Sequence, residues 1–137
     1  NTISNYKVEY ISNIKIIDQE SKDINMFNEG VGFNLKQYIR EHIYMTAGSV
    51  IDAQLELYGD KYVSTLIEWF GHDIEVRKEE EVLLAYIRVN ENALIYWALQ
   101  YGSIAKAISP KSTVCKIKEQ IQELNTKYNK VKLQEKK

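Results

Sequence analysis

From Ser49 onward the spacing of apolar residues switches between two periods, and that switch constrains the fold more than any other feature. Ile51, Ala53, Leu55 and Leu57 alternate with Asp52, Gln54, Glu56 and Tyr58, the period-2 pattern of a half-buried strand. Tyr62, Leu66 and Phe70 then recur every four residues with Val63 and Ile67 beside them, which is the stripe of a helix. Asp60 stands in position to cap that helix, and Gly71 to end it. A short strand over residues 74–77 leads through a turn at 78–81 into another, in which Leu83, Ala85, Ile87 and Val89 share a face. Asn90 can cap a second helix carrying Leu94, Ile95, Ala98 and Leu99, ended by Gly102. Residues 104–108 form a fourth strand. The order is strand, helix, strand, strand, helix, strand.

That order defines a ferredoxin-like βαββαβ module. Right-handed crossovers place both helices on one face of an antiparallel sheet. Leu55, Leu57, Phe70, Ile87, Val89 and Leu99 are expected in one core, and the other face is left open. Ser109 and Pro110 read as the cap and first turn of a terminal helix. Its apolar residues Val114, Ile117, Ile121, Leu124, Tyr128 and Val131 fall at intervals of three and four, a heptad-like seam.

Upstream the pattern is different. Tyr6, Val8 and Tyr10 alternate with Lys7 and Glu9, and Ile11, Ile14, Ile16 and Ile17 add β-branched weight, so residues 6–17 are expected as a lone strand. Residues 18–32 are polar and include Asn25, Asn28, Gly30 and Gly32, the composition of a linker. Asn34 with Gln37 three positions on resembles a capping box. Leu35, Tyr38, Ile39, His42 and Ile43 then follow at helical spacing up to Gly48. The fold class is therefore α+β: residues 1–32 a strand and linker, 33–48 a linker helix, and 49–137 the ferredoxin-like module with its terminal helix. With 137 residues, no initiator Met and an opening inside a strand-like pattern, the chain is expected to be part of a longer protein.

Composition removes several function classes. Eighteen basic and nineteen acidic residues give a net charge of −1, so no overall excess draws the chain to nucleic acid or an anionic membrane. Eight Lys against three Glu follow residue 110, which reads as a solvated helix with a Lys-rich end. Tyr128 is the sole aromatic there, too few for a base-stacking platform. One Cys excludes an internal disulfide and a Cys-built zinc site, and it fits a reducing, cytoplasmic setting. No apolar run approaches a membrane span.

Candidate chemistry is sparse. His42 and His72 have no third His or Cys pair at ligand spacing, so no metal and no cofactor is expected. Glu79, Glu80 and Glu81 share one wet turn rather than two differently tuned environments. Cys115 beside Val114 reads as a packing residue, without a His to activate it. Trp69, Phe70, Tyr96, Trp97 and Tyr101 resemble an aromatic box, but at helical spacing they suit core or interface use. The third strand lacks the Gly and paired aromatics of an RNA-recognition sheet. A phosphate-cradling catalytic loop would need Arg and Gly after the first strand, where Tyr58-Gly59-Asp60 brings an acid instead. No enzyme is expected.

In order and spacing, three segments resemble the C-terminal half of the WYL-domain transcriptional regulators of bacteria. Tyr6-Lys7-Val8-Glu9-Tyr10-Ile11-Ser12-Asn13-Ile14 is similar to the family's last WYL strand. Phe33-Asn34-Leu35-Lys36-Gln37-Tyr38-Ile39 is similar to the helix that follows it. Tyr96-Trp97-Ala98-Leu99-Gln100-Tyr101-Gly102, with residues 104–110, is similar to the signature of the C-terminal extension domain. The resemblance implies the effector-sensing and dimerisation region of a helix-turn-helix regulator, with DNA bound only through an N-terminal domain outside this sequence. It implies a nucleotide, nucleic-acid or small-molecule effector. Position on the WYL strand and the linker helix singles out Lys7, Tyr10, Arg40 and His42 as effector-contact candidates. A homodimer is expected from the open sheet face, the lone strand and the helical seam. The alternative is a free-standing ferredoxin-like small-molecule-binding regulatory domain.

Overall fold

The computed structural model describes residues 5–23 and 33–131. Four strands, β1 (Val50–Leu57), β2 (Glu75–Glu79), β3 (Val82–Asn90) and β4 (Ala105–Ser109), form an antiparallel sheet in the order β2-β3-β1-β4. Helix α1 (Leu35–Glu41) precedes β1, α2 (Val63–Phe70) follows it, α3 (Glu91–Gln100) joins β3 to β4, and α4 (Lys111–Tyr128) closes the chain. This is the α+β, ferredoxin-like arrangement that the period switch predicts.

Alternation fixes which side chains meet. Ala53, Leu55 and Leu57 of β1 lie beside Ala85, Ile87 and Val89 of β3, with Ile51↔Val89, Ala53↔Ile87 and Leu55↔Ala85 in register. Leu66 and Phe70 of α2 and Ala93, Leu94 and Trp97 of α3 complete one buried cluster with them. Both helices therefore share one face of the sheet. Leu99 departs from expectation. It packs with Ile95, Ala98 and Ile117 in a second cluster where α4 lies against α3.

The local signals are those of the sequence, displaced by a residue or two. Asn90 caps α3, its Oδ1 accepting from Ala93 N at 3.1 Å and from Thr46 Oγ1 at 3.0 Å. Gly71 ends α2 at φ 86°, a positive φ that strains a residue bearing a Cβ. Asp60 does not cap α2. It opens a 3₁₀ turn, Asp60–Tyr62, after Gly59, and Tyr62 holds the N-cap position of α2 with no side-chain cap bond. Pro110 rather than Ser109 holds the N-cap position of α4, and Ser109 stays in β4. Helix α1 stops at Glu41, well before Gly48, and the chain turns at Met45 with φ 51°.

The expected strand over residues 6–17 is not formed. Val8–Tyr10 make a 3₁₀ turn, and Tyr6, Val8, Tyr10, Ile14 and Ile16 stand exposed. Alternation suits a strand but does not supply the neighbouring edge that must take its backbone hydrogen bonds. Most of the expected linker, residues 24–32 with Asn25, Asn28, Gly30 and Gly32, lies outside the described residues. Cys115 is exposed rather than packed. One step from Val114 rotates a helical side chain by about 100°, off the buried stripe.

The open face of the sheet is ionic. Arg88 Nη1 lies 3.1 Å from Asp52, Arg77 Nη2 2.6 Å from Glu75, and Lys106 Nζ 2.9 Å from Glu56. These pairs give the face a solvated surface of its own. Beyond the N-terminal segment, α4 carries an exposed apolar stripe: Thr113 and Ile117 are buried but Ile121, Leu124 and Tyr128 are exposed.

Candidate functional site: the cleft between helix α1 and the sheet

β2 begins opposite Tyr86, so among the described residues the upper part of β3 has no strand beside it on that edge. Helix α1 occupies the position instead. Asn34 starts this helix by accepting from Gln37 N at 3.1 Å through its Oδ1. The Gln37 side chain does not return the bond, as a full capping box would. It donates to Glu41 Oε1 at 2.9 Å, one turn on. That holds Glu41 for Arg88, whose Nε donates to the same carboxylate oxygen at 3.1 Å.

Arg40, the adjacent residue, turns toward α2. It crosses Gly71, where an added Cβ would come within 3.1 Å of its Nε, and pairs with Asp73. A glycine at 71 thus serves two needs: positive φ and room for the guanidinium. Between these contacts lies a cleft of about 240 Å³. Phe70, Ile74 and Ile87 supply apolar surface, and Gln37, Arg40, Glu41, Asp73, Tyr86 and Arg88 supply the polar groups.

A shallower groove of about 450 Å³ continues across the open sheet face past Asp52, Gln54, Glu75 and Ser109. Asp73, Tyr86, Ile87 and Arg88 line both. Arg77 lies over the Tyr86 ring at 5.1 Å. Asp52 foremost, with Glu41 adding to it, holds the Arg88 guanidinium above its ordinary pKa, so it is a permanent cation.

The four candidates read from the sequence do not converge. Arg40 lines the cleft. His42 points into packing instead: its ring is buried, stacks on Tyr38 at 4.1 Å, and bonds Tyr38 O through Nδ1 at 3.0 Å. Lys7 and Tyr10 lie together on the exposed N-terminal segment, the ammonium 5.7 Å from the ring centroid. That segment is tied to α1 by Asn5, whose amide donates to Tyr38 Oη at 2.8 Å and to Met45 O at 3.1 Å.

Sequence reasoning passed over Glu41, Asp73, Tyr86 and Arg88. Tyr86 and Arg88 carried a signal, since period 2 turns them away from Ala85, Ile87 and Val89. Asp73 carried none, being a turn residue placed by Gly71.

The aromatic residues divide by depth. Phe70 and Trp97 meet edge-on at 5.2 Å inside the core. Trp97 stacks on Tyr101, which meets Trp69, which in turn meets Tyr44, a chain running from the core to the surface. Burial, and then the neighbouring Tyr101, raises the Tyr44 pKa, and its hydroxyl donates to Gln100 Oε1 at 2.7 Å.

Among the described residues no group of three or more His, Cys, Asp or Glu is placed to hold a metal ion, and no helix is long and apolar enough to cross a membrane. Compared with known proteins, the chain matches no family model and no curated protein.

Proposed function

We propose that this chain is the effector-sensing and dimerisation region of a bacterial helix-turn-helix transcriptional regulator, and that it is not an enzyme. The observation that carries this reading is the docking of α1 beside a cleft. Helix α1 is held to the α2–β2 turn by Arg40–Asp73 and to β3 by Glu41–Arg88, and those same side chains line the space a ligand would enter. A ligand there competes directly with the contacts that position the linker. It shifts the arrangement only by its differential affinity for the two states. The regulator would engage DNA half-sites through a unit outside these 137 residues, in the cytoplasm.

The exposed stripe of Ile121, Leu124 and Tyr128 supports a two-fold dimer through α4. An apolar stripe two turns long in water favours pairing with another helix. Light scattering of the chain at micromolar concentration tests it. Twice the chain mass is expected, falling to one chain mass on Ile121→Asp with Leu124→Asp. One chain mass for the unaltered protein refutes dimerisation.

One observation favours the alternative, a free-standing small-molecule-binding module. The sheet has a closed core on one face and self-paired charges on the other, so the sheet needs no further domain to cover it.

A further inference from the structure

The cleft against α1 has a charge pattern that selects among ligand classes. Two guanidinium groups and two carboxylates line it, and each cation already holds a carboxylate: Arg40 with Asp73, Arg88 with Glu41. Two further carboxylates stand in the adjoining groove, Asp52 beside Arg88 and Glu75 beside Arg77. A nucleotide or oligonucleotide entering here meets four carboxylates, and a phosphate on either Arg leaves a carboxylate without its partner. A simple cation strands the guanidinium groups in the same way.

A ligand carrying one ammonium and one carboxylate does neither. Its carboxylate replaces a side-chain carboxylate on Arg40 or Arg88, and its ammonium takes up the carboxylate so released. One ion pair within the protein is exchanged for two with the ligand, and Glu41, the most buried of these four side chains, keeps a cationic partner. Phe70, Ile74 and Ile87 offer an apolar wall for the rest of the molecule. A volume of about 240 Å³ lies below the ~300–1,000 Å³ of pockets for drug-sized ligands, so the occupant is small.

We propose that the cleft lined by Gln37, Arg40, Glu41, Asp73 and Arg88 binds a small zwitterion with an apolar side group, of the α-amino-acid class, and that the ligand acts by partner exchange with one of the two ion pairs that hold α1. This rests on the reading of the cleft as a sensing site and gives it a ligand and a mechanism. Arg40 and Glu41 lie on α1, while their partners lie on the sheet side. Exchange at either pair therefore removes one of the contacts that fix the last turn of the helix, and α1 loosens when the site fills.

The test is isothermal titration calorimetry of the full chain with each of the twenty free amino acids, with a pentanucleotide and AMP as comparison ligands. Amide hydrogen exchange is followed over Leu35–Glu41. At least one apolar amino acid is expected to bind saturably. Its affinity should fall at least tenfold on N-acetylation or on carboxyl amidation, each of which deletes one charge and needs no protein variant. Arg88→Gln should abolish binding, Arg40→Lys should retain part of it, and the α1 amides should exchange faster in the complex. No binding by any amino acid up to millimolar concentration overturns the proposal, as does binding indifferent to acetylation and amidation. Nucleotide or oligonucleotide binding that is lost in Arg88→Gln, with none by amino acids, also overturns it but leaves the cleft a sensing site. Failure of both ligand classes takes the sensing reading down with it.

Discussion

Glu91→Ala should unfasten the terminal helix from the module. Glu91 is the first residue of α3, and its carboxylate reaches across to the first turns of α4. Thr113 Oγ1 donates to its Oε1 at 2.8 Å, and Lys116 Nζ lies 2.7 Å from its Oε2. The Thr113 side chain is fully buried, so its hydroxyl loses its acceptor where water does not reach. An orphaned buried hydroxyl costs about 1–3 kcal/mol. The half-exposed Lys116 pair adds about 1 kcal/mol or less. The loss of a negative charge at the α3 N-terminus adds ~0.3–1 kcal/mol. Together these give about 1–5 kcal/mol, a fall in melting midpoint on the order of 5–25 °C for a domain of this size.

Glu91→Gln keeps an acceptor for Thr113 and loses the charge, and should cost about 1 kcal/mol. The hydrogen bond from Lys116 first, then that from Thr113, holds the Glu91 carboxyl below its ordinary pKa. A carboxyl depressed in the folded state stabilises above its unfolded value, about 4.3, and loses that contribution as pH falls through the folded value. The gap between wild type and Glu91→Gln should therefore be full at neutral pH and close below about pH 4. Urea unfolding followed by circular dichroism at a series of pH values measures it. A double-mutant cycle with Thr113→Val isolates the buried bond. A Glu91→Ala cost under about 0.5 kcal/mol, or a Gln gap independent of pH, refutes this account of how α4 is held.

Three other substitutions and conditions test the remaining structure. Leu55→Ala, at a fully buried site between β3 and β4, should cost about 2–5 kcal/mol in chemical denaturation, and a cost below 1 would place it outside the core. Glu80→Gly, in the β2–β3 turn at φ 55°, should raise stability by up to about 1 kcal/mol, read as a higher melting midpoint. The isolated chain, at net charge −1, should bind duplex DNA no more tightly than micromolar at physiological salt; a salt-sensitive, sub-micromolar affinity in fluorescence anisotropy would point to the Lys-rich end of α4.

What could be read from the sequence followed from local physics. The change of apolar period marks β1, α2, β3 and α3 because each element buries one face against the others, and Asn90 and Gly71 punctuate them by caps and turns that act within four residues. Residues 6–17 show where that reasoning stops. Their alternation is as good as that of β1, yet β1 has β3 and β4 on its two edges, and the N-terminal segment has no paired edge among the described residues. A strand is a non-local structure, and its partner is not written in its own residues. The cleft shows the same division. Arg40 was a candidate by its position on the linker helix, and Arg88 faces outward by alternation. Asp73 enters through the backbone conformation of Gly71, and Glu41 through a side-chain bond from Gln37. His42 stood at a helical position suited to exposure or packing, and its stacking on Tyr38 decided for packing.

The central claim is that this chain belongs to a protein that regulates transcription. Chromatin immunoprecipitation of the tagged, full-length protein from the cells that express it tests that claim most directly. Enrichment at a small set of discrete upstream regions is the expected result, with the recovered sites sharing a two-fold repeat spaced for a dimer. Precipitated DNA no different from an untagged control would contradict the account.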